Sequence, residues 1–421
     1  MTQRQKMAAA IFALAFFAPA ALASPGRNKT RWVESWAASE QIPEPRNALA
    51  PADLTDATLR QIVHLSIGGP RFRVHLSNAF GTKPLTLDSV HVALAVSPAT
   101  SGIDVSSDHA LMFNGNPEVT IPAGADYVSD PVEMPVEPEA NMAITIYLKQ
   151  PPARETSHPG SRATSYLVHG NHVSDQALAG AKTFDHWFII GGVDVAAPAN
   201  AAAVVTLGDS ITDGHASTTN GNNRWPDDLA RRLLKVKLGR ELSVVNEGIG
   251  GNRMLLDGLG PNALARFDRD VLAPAGVRYV IVLEGINDIG TFGFMEHFRP
   301  QPGSPEAAHE ALLARMIAAY KQIIERAHSH GLLVYGATMT PFDGSFYTRS
   351  GLLTVQDRDA INKWIRAPGH FDAVIDFDKV VRDPKNPEHM LPKYDSGDHL
   401  HPSVAGYQAM ANAIPLSLFK R

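Results

Sequence analysis

Ala203-Val-Val-Thr-Leu-Gly-Asp-Ser-Ile-Thr-Asp-Gly214 decides how the chain folds. The short run from Val204 to Leu207 reads as a buried strand, and Gly208 ends it. A polar segment follows, then an amphipathic helical pattern. That order sets Ser210 at the carboxyl end of a parallel strand, where open α/β sheets bind ligands. The helix start also offers free backbone N–H groups to an anion. A capped helix start is the plainer reading of the same residues.

Outward from this stretch, strands and helices alternate to the end of the chain. Apolar runs recur at 203–207, 242–245, 279–283, 332–335 and 373–375, with helical patterns between them. The clearest helix spans 304–330. Ser304 suits the N-cap, Pro305 the first helical position and Glu306 the first turn. Leu312, Met316, Tyr320, Ile323 and Ala327 line one face, and Gly331 suits a left-handed end. Such alternation predicts an α/β region with a parallel sheet over 200–421.

Residues 30–195 follow a different pattern. Arg71–Leu76 alternates polar and apolar, and Met142, Ile144, Ile146 and Leu148 share one face of a second alternating run, so both read as half-buried strands. Gly68-Gly69-Pro70, Gly115-Asn-Pro117 and Gln150-Pro151-Pro152 break the runs. Short strands at this spacing predict a β-sandwich or jelly-roll-like domain. Trp32, Trp36, Tyr127 and Tyr147 read either as core or as stacking surfaces for sugar rings. The stretch Ser77-Asn78-Ala-Phe-Gly81 reads as a turn, or as a loop reaching toward the other half. Residues 196–201 read as the connector.

Arg4 and Lys6, the apolar run Met7–Phe17 and the small residues Ala21-Leu22-Ala23 have the form of an export signal over residues 1–23, cleaved before Ser24. The apolar run is short for a membrane span. The mature protein is therefore expected to be secreted or periplasmic, without a span. Across 421 residues there is no cysteine, which rules out disulfides, thiolate metal sites and a cysteine nucleophile. With a net charge of −5 and no long basic run, nucleic acid is not an expected partner.

Three later stretches bear on Ser210. Val245-Asn246-Glu-Gly-Ile-Gly250-Gly251-Asn252-Arg253 follows the second strand, and its glycines allow close backbone approach and an N–H donor for an oxyanion. Read instead as a dinucleotide fingerprint, it has Arg253 where the third glycine belongs. Leu283-Glu-Gly285-Ile-Asn287-Asp288 ends the third strand, so the Asn287 amide can donate into the crevice, although an Asn-Asp turn explains the pair equally. Asp395-Ser-Gly-Asp398-His399-Leu400-His401-Pro402 precedes the last helix. An aspartate three residues before a histidine can hold the imidazole by Nδ1–H and leave Nε2 as a base. The competing reading is a metal site of Asp398, His399 and His401, with His215 as a fourth ligand.

In this order the four stretches resemble the blocks of the SGNH (GDSL-like) hydrolase family, over roughly 200–418. The resemblance implies a flavodoxin-like domain with a five-stranded parallel sheet. It implies Ser210 as nucleophile, His401 as base, Asp398 as its orienting partner, and an oxyanion hole from the Ser210 N–H, the Gly251 N–H and the Asn287 amide. No cofactor and no metal enter this chemistry. His399 stands where a small residue is commoner. The chain contains no Gly-x-Ser-x-Gly, which argues against an α/β-hydrolase nucleophile elbow. The expected reaction is hydrolysis of carboxylic esters, small or polysaccharide-borne, with acetyl the favoured acyl group. A lysophospholipase or lipase and an acyltransferase with the same triad are the alternatives. A histidine base makes activity fall toward acid, with a midpoint near roughly pH 6–7. The aromatic-rich stretch 291–300 reads either as a wall of the acyl or alcohol pocket or as a loop packed on the β-rich half, and the loop 342–352 is placed to line the same crevice.

Overall fold

The computed structural model describes residues 30–236, 241–298, 304–348 and 353–420. The export signal expected over 1–23 lies outside them.

The N-terminal part is built from antiparallel strands. Eight of them carry its two main sheets: β1 (Thr30–Ala37), β2 (Ala57–His64), β3 (Phe72–Ser77), β4 (Ser89–Leu94), β5 (Asp126–Val128), β6 (Asn141–Leu148), β7 (Ser165–His169) and β8 (Ile190–Pro198). One sheet has the order β1-β8-β3-β5. The other is centred on β7-β2-β6-β4. Val33, Val74 and Val193 of the first and Leu59, Ile144 and Ile146 of the second share one apolar core. Met142, Ile144, Ile146 and Leu148 point into that core, as their alternation predicts. Ala143 and Tyr147, on the other face of β6, are buried as well, so this strand is covered on both sides rather than half-buried.

The C-terminal part has five parallel strands: β9 (Ala202–Gly208), β10 (Leu242–Gly248), β11 (Val277–Leu283), β12 (Leu333–Ala337) and β13 (Ala373–Ile375). Their order is β10-β9-β11-β12-β13, the doubly wound pattern with its switch point beside the first strand. Val204, Val205, Val280, Ile281 and Val334 are wholly buried, as strands packed by helices on both faces must be. The helix expected at 304–330 is α5 (Pro305–Ser329). The Ser304 hydroxyl accepts from the Ala307 N–H at 3.3 Å, and Gly331 takes φ +71°. No helix among the described residues is long and apolar enough to cross a membrane.

The polar segment after Gly208 begins with a four-residue helix α1 (Ser210–Asp213), ended by Gly214 at φ +93°, and the amphipathic helix that follows is α2 (Trp225–Leu234), which starts after a loop. Two local expectations are corrected. The connector expected at 196–201 is shorter, since β8 runs to Pro198 and β9 starts at Ala202, leaving only 199–201 between them. The aromatic stretch expected as a loop is helix α4 (Ile286–Phe298), with residues 299–300 outside the description.

The two parts meet on a polar seam. The Glu34 N–H donates to the Ala275 carbonyl at 2.9 Å. Ser39 Oγ lies 2.7 Å from both Glu247 Oε2 and Asp270 Oδ2. His158 donates from Nδ1 to the Ser39 carbonyl at 2.6 Å, and its Nε2 stands 3.0 Å from Asp213 Oδ1 on α1.

Candidate active site

Ser210 opens α1 at the carboxyl end of β9. The Asp209 carboxylate caps the helix, accepting from the Ile211 N–H at 2.9 Å. Gly208 is required by space: a Cβ there would lie 2.1 Å from Thr212 Oγ1 and 2.8 Å from the Leu283 carbonyl. The strand therefore turns into the helix against β11, and Ser210 is set at the switch point.

His401 arrives just before the helix Val404–Ala413. Its Nε2 is 2.8 Å from Ser210 Oγ, although the two residues are 191 positions apart. Its Nδ1 is 2.6 Å from Asp398 Oδ2. Asp398 Oδ1 accepts from the His401 N–H at 2.8 Å and the Leu400 N–H at 2.9 Å. Burial opposes the charge on Asp398, but the His401 ring and these N–H groups outweigh it and hold its pKa well below the ordinary carboxylate range. The sequence thus places a hydroxyl, an imidazole and a carboxylate in one line of hydrogen bonds, and the structure brings all three together.

The other residues of that reading stand on the neighbouring strand ends. Gly251, at φ +70°, follows β10, and Asn287 is in the first turn of α4 after β11. Among the described residues the N–H groups of Ser210 and Gly251 have no acceptor. Asn287 Nδ2 donates to the Asn252 carbonyl at 2.9 Å, which leaves its second hydrogen for another acceptor. Its Oδ1 accepts from the Tyr347 hydroxyl at 2.7 Å, fixing which way the amide faces. Burial pushes the Tyr347 hydroxyl up to about 12, so it remains a donor. Asp288 accepts from the N–H groups of Met254 and Leu255, at 2.9 and 3.0 Å, and so anchors the loop that carries Gly251. Its pKa is nevertheless pushed up to about 6 by burial.

Beneath these loops lies Arg266, which is 2 % exposed. It donates to the carbonyls of Gly208 and Glu247, at 3.0 and 2.7 Å, and to Asn252 Oδ1, Asp270 Oδ2 and Ser39 Oγ. One guanidinium thereby ties the ends of β9 and β10 to the Gly251 loop and to the N-terminal part. The sequence reading missed Arg266 and Tyr347.

His215 packs against His401 with the rings tilted and their centroids 4.0 Å apart. Arg162, from the N-terminal part, donates to His215 Nδ1 at 3.1 Å. Burial, then the neighbouring His401 and Arg162, pull the pKa of His215 down to about 4. Of the metal set read from the sequence, His399 is turned away. His399, at φ +62°, turns its Nδ1 to Asp395 Oδ2 at 2.6 Å. Asp398, His401 and His215 do come within 4.8 Å of one another, but Asp398 is held by His401 and His215 Nδ1 by Arg162.

Residues 206–409 match the profile of the GDSL-like Lipase/Acylhydrolase family. This part of the chain is a GDSL-like hydrolase domain. Members of that family hydrolyse esters. No curated protein matches the chain. Among solved structures, the GDSL-like hydrolase domain is similar to an acetyl xylan esterase from Geobacillus stearothermophilus. The identity is 21%, over 50% of this chain and 92% of that one, with a TM-score of 0.37. A lipase/acylhydrolase from Enterococcus faecalis is 20% identical over 52% of this chain and 95% of that one, TM-score 0.37. A GDSL-like lipase from Bacteroides thetaiotaomicron is 18% identical over 52% and 88%, TM-score 0.35.

The N-terminal aromatics are mostly committed elsewhere. Trp36 meets Trp187 edge-on at 4.9 Å. Tyr147 is buried, with its hydroxyl on Asp56 at 2.7 Å. Trp32 is covered by the guanidiniums of Arg71 and Arg73. Only Tyr127 of the four is exposed. Asn78 is 1 % exposed and donates to the carbonyls of Lys83, Ile121 and Pro122, so Ser77–Gly81 is a pinned turn.

Proposed function

We propose that the protein is an exported serine esterase acting on carboxylic esters with short acyl groups such as acetyl. The observation that carries this reading is the line Ser210–His401–Asp398. Ser210 Oγ attacks the ester carbonyl while His401 Nε2 takes its proton, and Asp398 stabilises the imidazolium. The oxyanion is held by the N–H groups of Ser210 and Gly251 and by the spare Asn287 hydrogen. His401 then protonates the leaving alcohol. Water, deprotonated by the same ring, attacks the acyl-enzyme and releases the acid.

A second reading, a lipase-type acylhydrolase, is favoured by one observation. Leu256, Leu259, Phe294, Met295 and Phe346 are exposed on the loop after Gly251, on α4 and beside Tyr347. Initial rates on p-nitrophenyl esters from acetyl to palmitoyl separate the two. Ser210→Ala is expected to keep its fold and lose ester cleavage. A variant that retains most of the activity overturns the proposal. Export predicts a mature N-terminus at Ser24, read by sequencing the secreted protein.

A further inference from the structure

The four-stranded sheet turns one face to the sandwich core and the other to the hydrolase domain. On the second face, Glu34 of β1 and Asp194 of β8 are paired directly across the strands. Like charges opposed in this way destabilise a sheet. Both are shut off from solvent, at 4 % and 0 % exposure. Asp194 Oδ2 accepts from Arg73 Nε at 2.8 Å and lies 3.0 Å from His75 Nε2, on β3. Asp194 Oδ1 and Glu34 Oε2 are buried and have no partner. Gly192, the neighbour of His75 across the strands, leaves the room Glu34 needs: a Cβ there would lie 2.2 Å from Glu34 Oε1.

Beside them is a cavity of about 90 Å³, lined also by Glu40, Asp126, Glu247, Arg269 and Asp270. Glu40 Oε1 is a third buried oxygen without a partner. The carboxyl groups here outnumber the guanidiniums of Arg73, Arg266 and Arg269. An uncompensated buried carboxylate is costly, so the face needs added positive charge.

We propose that Glu34, His75 and Asp194 bind one divalent transition-metal cation of the zinc or manganese class at the seam between the two parts of the chain. Their ligand atoms all lie within 4.8 Å of one another. Around a zinc ion, with bonds of about 2.0–2.2 Å, ligand atoms stand up to roughly 4 Å apart, so small side-chain rotations suffice. One imidazole with two carboxylates suits zinc or manganese better than calcium, which takes 6–8 oxygens. The ion draws on the two idle oxygens. His75 contributes the Nε2 lone pair and keeps its proton on Nδ1, while Arg73 stays on Asp194 Oδ2. Water in the cavity completes the coordination. The site is apart from Ser210 and serves to join the sheet to the hydrolase domain.

The test uses the full mature chain, free of any histidine tag and stripped with EDTA. Titration calorimetry with ZnCl2 and with MnCl2, and melting curves with each, give the readouts. One equivalent of at least one ion is expected to bind and to raise the melting temperature. In Glu34→Gln, which keeps the side-chain shape, that binding should weaken by roughly 10–100-fold or more, with cleavage of a soluble ester unchanged. If the stripped wild type takes up no stoichiometric ion, protons neutralise the pair and the proposal is wrong. It is equally wrong if Glu34→Gln binds as tightly as wild type, since the ion then sits elsewhere, His215 and His401 included.

Discussion

Tyr347 shows how much the site depends on a residue outside the proposed triad and oxyanion hole. Its hydroxyl occupies the Asn287 oxygen and so orients the amide. Asn287→Ala removes the proposed oxyanion donor and is expected to lower kcat by about 10²–10³. Tyr347→Phe keeps the donor and removes only its orientation. A hydrogen bond of about 0.5–1.5 kcal/mol corresponds to a roughly two- to tenfold loss, borne by kcat rather than KM. Steady-state kinetics on one soluble ester checks both. His215 carries a pH signature. Its folded pKa lies near 4, below the ordinary value of about 6.5. Between these values the unfolded chain binds a proton that the folded chain does not, so stability falls as pH falls through that window. His215→Gln should flatten this slope in urea melts taken from about pH 7 down to about pH 4.5. Asp398 is shifted in the same direction. Its pKa is depressed, so its bond to His401 survives below the ordinary carboxylate range and is lost only as pH falls through the lowered value.

At the scale of elements, the strand ends of the sheet were readable because their signals are local. A β-branched run closed by glycine marks β9, Ser210 and Asn287 each lie within a few residues of such a strand end, and His401 lies just before the helix Val404–Ala413. Ser304 and Pro305 fixed the start of α5 in the same way. Arg266 and Tyr347 carry no local mark. Arg266 lies in the short helix Ala263–Phe267, where a charged residue reads as surface, and only the meeting of several distant loops buries it. The run 291–298 was misread as a loop because its glycines and aromatics conceal a helix, whose Gly290 makes room for the Tyr347 ring. Arg266→Met tests the hub. It leaves Asp270, Glu284 and the Gly208 carbonyl without this partner, and an unpaired buried charge costs about 3–5 kcal/mol. Denaturant melts should show a loss of that order, and esterase activity should fall even at temperatures where the variant is folded.

At the scale of the whole molecule, the N-terminal part is a component of the hydrolase rather than an appendage. Ala201 and Ala203, from the start of the parallel sheet, pack in the sandwich core. Ser39 completes the Arg266 network, and His158 braces the helix that begins with Ser210. A chain of residues 200–421 alone exposes these groups. It is expected to be aggregated or inactive even on p-nitrophenyl acetate, as size-exclusion chromatography and an assay would show. Full activity of that fragment on the small ester would make the sandwich dispensable.

Only residues 199–201 separate β8 from β9. A swinging arm needs slack, and three residues between two anchored strands supply none. The two parts are therefore expected not to hinge apart, and a protease offered the native protein should find no place to cut there.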